Sequence, residues 1–305
     1  MHANVVVVGG GPAGLSAALN LGRARASVVL VDAARPRNAA TLRSHGFLTR
    51  DGVPPLELRK LARVELAAYP NVRVLDRSAV IAVAAAPSGD GSFVVSLHAR
   101  ARDAPQEVVT GRVLIATGVR EMLPAIPGLT GFYGMTLFSC ALCDGWELRD
   151  RPLALIGETS DLPRWARLIT RWTDRLTVFT NGAGSIAPRQ LADLADRGIT
   201  VDSRPIAALE GDRGAIDHVR LVDDAVVPVR GGFVRPVWRS ALDATANLGL
   251  RCDSDGFLLA DLDGRTSVAG LYGAGDAVAP GPQQLIVAAG QGARAAAAII
   301  DDLIA

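Results

Sequence analysis

Aromatic residues are scarce in this chain, 5% of 305 residues, and cysteines are scarcer still: three, at positions 140, 143 and 252. So few thiols, in odd number, exclude a disulfide-stapled scaffold and fit a reducing compartment, the cytoplasm, where a close pair of cysteines is more often catalytic than structural. A dominant charge is missing too. Lys and Arg number 32 against 31 Asp and Glu, a net charge of +1, which removes the electrostatic case for nucleic acid or an anionic membrane as partner. Long apolar runs are absent, Val5–Val8 and Ala295–Ile300 being typical, so no membrane span is expected. Met1-His2-Ala3-Asn4 has no basic, then apolar, leader and runs straight into a strand, so no export signal is expected. The histidines, His2, His45, His98 and His218, are scattered without ligand spacing, and a structural zinc site takes about four ligands; no metal centre is expected.

What is plentiful is small and apolar. Ala, Gly, Val and Leu dominate a sequence that is 49% hydrophobic, the texture of an α/β protein with buried parallel strands. Asn4–Val8 is a β-branched run of that kind. It breaks into Gly9-Gly10-Gly11-Pro12-Ala13-Gly14, followed by an Ala/Leu-rich helix, Leu15–Arg25, and a second strand, Ser27–Val31, ending at Asp32. Strand, glycine turn, helix, strand and acid stand in the order of a dinucleotide fingerprint. Gly9 permits the tight turn, Gly11 the approach of a pyrophosphate, Gly14 close helix–strand packing, and Asp32 a bond to ribose hydroxyls. A helix over Leu56–Tyr69 and short strands at Val72–Leu75, Val80–Ala85 and Phe93–His98 follow. Then comes a strand that ends in Ala116-Thr117-Gly118, where a backbone can pass close to a cofactor.

Cys140-Ala141-Leu142-Cys143-Asp144-Gly145 carries the reactive chemistry. Two thiols two residues apart in a first helical turn can close a small disulfide, and the helix dipole favours the thiolate of the first. Asp144 is placed to protonate a departing sulfur. Half of a zinc site and a pair of buried spectator cysteines are the competing readings. A second strand-turn-helix-strand follows, Leu153–Ile156, Gly157–Leu162, a helix to about Trp172, and Leu176–Thr180. It has the outline of a nucleotide site without the chemistry: only Gly157 remains in the turn, Glu158 and Asp161 put negative charge where phosphates would sit, and Thr180-Asn181-Gly182 offers no arginine pair. NADPH is therefore a doubtful ligand. Trp238–Leu250 reads as a helix or a return linker. Near the C-terminus a strand runs into Gly273-Ala274-Gly275-Asp276, and Pro282-Gln283-Gln284 opens an Ala-rich helix over Leu285–Ile304. Asp276 serves either as a helix cap or as a ligand to a ribityl hydroxyl.

Together these residues resemble the low-molecular-weight thioredoxin reductase family of FAD-dependent disulfide oxidoreductases along nearly the whole chain. The matching elements are Gly9/Gly11/Gly14 with Asp32, Ala116-Thr117-Gly118, Cys140-x-x-Cys143-Asp144-Gly145, and Gly275-Asp276 with Gln284. The resemblance implies an α/β fold of two Rossmann-like, three-layer dinucleotide-binding domains, the FAD domain discontinuous. Residues 1–115 and 238–305 would form that domain, with a pyridine-nucleotide-like insert carrying the dithiol at 116–237. It implies FAD held by Gly9, Gly11, Pro12, Ala13, Gly14, Asp32, Ala116, Thr117, Gly118, Gly275, Asp276 and Gln284. Cys140 would exchange with substrate, Cys143 would face the flavin, and Asp144 would serve as acid/base, in a homodimer. The degenerate turn at Gly157 resembles a branch that oxidises small-molecule dithiols and discharges electrons to oxygen. An NADPH- or ferredoxin-dependent reductase of a disulfide or thioredoxin-like protein, and a non-catalytic flavin-binding sensor, are the alternatives. His45, in Ser44-His45-Gly46-Phe47, is either a catalytic auxiliary lining the pocket or a loop residue bonded to backbone.

Overall fold

A computed structural model of the protein describes residues 1–99, 106–183, 186–278 and 281–305. The chain divides into two compact units. One comprises Met1–Ala39, Gly46–Arg120 and Arg239–Ala305; the other comprises Ala40–His45 and Glu121–Trp238. Both are Rossmann-type sheet-and-helix assemblies, so the fold is α/β and the first unit is discontinuous.

In the first unit the sheet runs Val72–Asp76, Val28–Asp32, His2–Val8, Gln106–Ile115, then Phe93–Ala99 and Ser78–Ala85. The first three pairings are parallel and the last two antiparallel. Leu271–Gly273, from the far end of the chain, adds in parallel beside Val113–Ile115. The valines of the first strand are buried on both faces: Val5 and Val7 pack with Leu21, Leu30, Tyr272 and Ile299, while Val6 and Val8 pack with Val29, Val31, Phe93 and Val95. That two-sided burial is what a continuous β-branched run buys in a parallel sheet. The helix Pro12–Arg23 lies against the long C-terminal helix Leu285–Ile304, and the contact is backbone-close. A Cβ on Gly292 would stand 2.0 Å from the carbonyl oxygen of Ala13.

The second unit has a five-stranded parallel sheet in the order Thr200–Asp202, Leu176–Phe179, Leu153–Gly157, Gly232–Arg235 and Leu137–Phe138. A three-stranded antiparallel sheet, Ile206–Asp212, Ala215–Leu221 and Val226–Pro228, accompanies it. Alternation along Leu153–Ile156 sorts the core: Ala154 and Ile156 face Leu137, Phe179 and Val234, while Leu153 and Leu155 face Ala141, Ala166 and Ile169. The stretch from Trp238 to Leu250 is a linker and not a regular helix. It continues the strand Val237–Ser240, which pairs with Val119–Met122, and then makes one short 3-10 turn, Asp243–Leu248.

Candidate active site and cofactor cradle

In the second unit Cys140 is the N-cap of a helix, Ala141–Leu148, with extended backbone (φ −123, ψ 104), and no side chain caps that helix end. Its carbonyl accepts the backbone N–H groups of Cys143 and Asp144 at 3.2 and 3.1 Å. This first turn brings the two sulfurs together as a disulfide, S–S 2.08 Å with Cα atoms 5.3 Å apart. The thiols are thus partners of each other, the state a redox pair cycles through. Cys252 is a free, exposed thiol. Gly145 is required by packing, because a Cβ there would lie 2.6 Å from the Trp172 ring. Leu142 and Trp146 stand exposed on the same helix, with the Arg149 guanidinium 4.1 Å over the Trp146 ring.

Asp144 is 8% exposed. Burial, and next the charge of Glu147, push its carboxyl up to about 7, so it exchanges a proton near neutrality. Glu147, one turn further along, is met by His45, whose Nε2 lies 3.6 Å from Glu147 Oε1. The Ser139 hydroxyl, next to Cys140, donates to Glu121 at 3.1 Å. Motif spacing pointed to the cysteines and Asp144; Glu147 and Glu121 carried no signal of their own, and His45 comes from a distant loop.

The first unit holds the fingerprint. Gly9 has φ +115, and a Cβ on it would collide with the Ala116 carbonyl oxygen at 2.2 Å; one on Gly14 would meet Gly9 O at 1.9 Å. These contacts seat the start of the helix against the end of the strand. Pro12 stands in the first turn, Gly11 is the N-cap without a side-chain cap, and nothing lies within 4 Å of the position a Gly11 Cβ would take. Thr117 Oγ1 is buried without a hydrogen-bond partner, and Gly118 turns the chain at φ +67. Gly275, at φ +73, comes within 2.9 Å of Ala13 Cβ when given a Cβ of its own, which sets Asp276 beside the helix entrance. Asp276 accepts a bond from Arg37 at 2.8 Å, and the Gly275 N–H donates to Gln291. Gln284 is the N-cap of the last helix. An uncapped helix start facing open space, an orphaned buried hydroxyl and a glycine-tight strand end fit the pyrophosphate and polyol of a flavin dinucleotide.

Asp32 is 4% exposed and accepts bonds from Arg59 at 2.6 Å, from Arg63, and from the Ala34 N–H at 2.8 Å. The strand-end acid is therefore already charge-paired. Arg59 and Arg63 belong to no motif, and the signal that joins them is their i,i+4 spacing on the helix Pro55–Leu66, which puts both on one face.

The second turn is built differently. A Cβ on Gly157 would meet Arg235 Cβ at 2.8 Å and Leu162 Cδ2 at 3.0 Å. Asp161 occupies the N-cap of the helix Leu162–Ile169, accepting bonds from Thr159 at 2.6 Å, Trp165 Nε1 at 2.8 Å and Arg235 at 2.7 Å. Burial alone would raise its carboxyl, but those bonds and the Arg235 charge hold it below the usual carboxylate range. Arg235 lies 4.1 Å over the Trp165 ring, its side chain 11% exposed. Asn181 donates to Glu158 at 2.7 Å.

Comparison with known proteins agrees with this geometry. Residues 3–292 match the pyridine nucleotide-disulphide oxidoreductase family. The chain is 33% identical over 180 residues to an Arthroderma benhamiae protein described as a thioredoxin reductase, an alignment covering 59% of this chain and 44% of that one. It is 32% identical over 285 residues to thioredoxin reductase aclD of Aspergillus oryzae, covering 89% and 87% of the two chains. The solved structure of thioredoxin reductase TrxB from Bacillus anthracis superposes with a TM-score of 0.90 at 35% identity, over 99% of this chain and 98% of that one. Membership implies FAD as cofactor. The chain belongs to the pyridine nucleotide-disulphide oxidoreductase family, as a thioredoxin reductase-like disulfide oxidoreductase.

Proposed function

We propose that the protein oxidises a small-molecule dithiol through Cys140 and Cys143, passing electrons to FAD and then to oxygen, without NADPH. One observation carries the choice of direction. The Gly157–Leu162 turn, where a pyridine nucleotide would lay its phosphates, is filled by the protein's own Asp161, Trp165 and Arg235. A carboxylate stands at the helix end that would have to receive a diphosphate, and the basic side chain beside it is already spent on that carboxylate.

The residues then divide the work. A substrate thiolate attacks Cys140 Sγ, the Cys140–Cys143 bond breaks, and Cys143 leaves with the electron pair as thiolate. The second substrate thiolate attacks the sulfur bound to Cys140; the substrate disulfide forms, and Cys140 leaves with its pair and takes the proton of Asp144. Two electrons have moved from substrate to the enzyme pair. FAD, when bound, supplies the two-electron acceptor and the route to oxygen. It would be held by Gly9, Gly11, Pro12, Ala13 and Gly14 at the helix start, by Ala116, Thr117 and Gly118 at the strand end, and by Gly275, Asp276 and Gln284, with Asp32 toward the adenosine. When the disulfide closes again, the Cys140 proton returns to Asp144. A homodimer is the assembly we propose.

The names of its relatives favour a second reading, an NADPH-dependent reductase acting on a thioredoxin-like protein or small disulfide. Anaerobic stopped-flow mixing separates the two. A simple dithiol is expected to bleach the flavin within seconds, and NADPH at micromolar concentration is not; rapid bleaching by NADPH would overturn the oxidase direction. Cys140→Ser is expected to abolish bleaching by the dithiol, and unchanged bleaching in that variant would leave a flavin-binding protein without thiol turnover.

A further inference from the structure

His45 is drawn away from its neighbours in the chain. Gly46 onward belongs to the first unit, whereas Ala40–His45 belongs to the second, with the dithiol helix. The seat for this segment is Gly134, at φ +82, where a Cβ would lie 2.3 Å from the Ala40 carbonyl oxygen. The segment delivers the imidazole, its side chain 16% exposed, to Glu147 at 3.6 Å. Glu147 stands at i+3 from Asp144, where helical neighbours meet, and Asp144 is buried in the first turn, next in the chain to Cys143.

We infer that Glu147 and His45 are positioning residues for the proton on Asp144, Glu147 keeping it bound at rest and His45 limiting that hold so that it can be given up to Cys140. Resting on the dithiol-exchange reading above, this assigns two residues that the CxxC-Asp motif does not contain. An ionised Glu147 next to a second carboxyl opposes its ionisation, as any like charge does, and a positive charge set against Glu147, which His45 bears when protonated, weakens that opposition. The charge of Glu147 is one of the two causes that push Asp144 up to about 7. Charged groups close to the dithiol turn include Glu147 on the same helix, His45 from the loop, and Glu121, which takes the Ser139 hydroxyl bond next to Cys140. Arg149, at the helix end, is turned to the Trp146 carbonyl and ring.

The two partners act with opposite sign, and a merely structural role would not produce that pattern. In the oxidised, FAD-loaded protein the Asp144 carboxyl band is followed by infrared titration and identified by its loss in Asp144→Asn; no turnover is needed. Glu147→Gln is expected to move the midpoint toward acid by on the order of one unit. His45→Gln is expected to move it toward alkali. A midpoint unchanged in Glu147→Gln, or an unchanged or acid-shifted midpoint in His45→Gln, overturns the assignment. Both are polar, near-isosteric changes at partly exposed positions, and unaltered flavin content and thermal midpoint certify the fold. The pH profile of flavin reduction by a dithiol is recorded alongside. Shifted carboxyl midpoints without any dithiol-driven reduction would uphold the proton cluster and reject dithiol oxidation; dithiol-driven reduction with unshifted midpoints would do the reverse.

Discussion

Asp144 has been moved the wrong way for stability and the right way for chemistry. An acid raised from 3.8 to about 7 binds a proton more tightly in the folded than in the unfolded chain. Below the lower value both states are protonated and the burial costs nothing. As pH rises between the two values the unfolded chain ionises first, so the folded state loses ground, and above the upper value the loss is complete. At 8% exposure solvent does little to screen it, and the full loss is on the order of 4 kcal/mol. Asp144→Asn removes this component. Relative to the parent, the variant is expected to gain stability as pH rises from about 4 to about 7 and to level off above. Urea midpoints for both proteins across that range check it, and parallel curves would contradict it. Cys140, Cys143 and Asp144 were legible in the sequence because their relation is local, set within one helical turn. His45 stood out by its Ser-His-Gly-Phe loop, but Glu147 did not, because the two are far apart in the chain and no spacing encodes their contact.

At the scale of elements, legibility followed the same division. The βαβ unit at the N-terminus could be read because each glycine has a steric duty within a few residues: Gly9 against Ala116, Gly14 against Gly9. The C-terminal helix was readable as a helix, yet its partner was not, since helix-on-helix contact here depends on Gly292 meeting the backbone of Ala13. That contact makes a pair of opposite predictions on one helix. Gly292→Ala puts a methyl 2.0 Å from a carbonyl oxygen, with backbone on both sides and no flexible side chain to yield. It is expected to cost at least about 3 kcal/mol and to weaken FAD retention by displacing the start of the Pro12–Arg23 helix. Gly290→Ala faces open space, with nothing within 4 Å, and is expected to stabilise by about 0.5–1 kcal/mol through helix propensity. Chemical denaturation and flavin release measured on both variants decide it; equal effects would sink the packing account. The second turn illustrates the remaining gap. The sequence displayed the loss of glycines at Gly157–Leu162, but not that Arg235, on another strand, completes the filling.

For the molecule as a whole, the consequence of a discontinuous first unit is that its sheet is closed by strands from opposite ends of the chain. His2–Val8, Gln106–Ile115 and Leu271–Gly273 lie side by side, and the groups assigned to FAD sit on their C-terminal edges: Gly11 and Gly14 after the first, Thr117 after the second, Asp276 after the third. A ligand touching all three edges binds only when all three are in register. By mass action it stabilises that register by about 2.7 kcal/mol at a hundredfold excess over its Kd. The Gly157–Leu162 turn of the second unit is occupied by Asp161 and Arg235, and on the function proposed above the Leu153–Gly157 sheet gains nothing from the same event. Hydrogen exchange on the flavin-stripped protein, with and without added FAD, is therefore expected to show slowed amides in Val5–Val8, Val113–Ile115 and Leu271–Gly273 together, by roughly a hundredfold where exchange proceeds through global opening of that unit. Amides in Leu153–Ile156 and Leu176–Phe179 are expected to stay unchanged on adding either FAD or NADPH. Protection of Leu153–Ile156 by NADPH would show the second turn to be a working coenzyme site, and with it the electron flow through Cys140 and Cys143 would run from coenzyme to substrate.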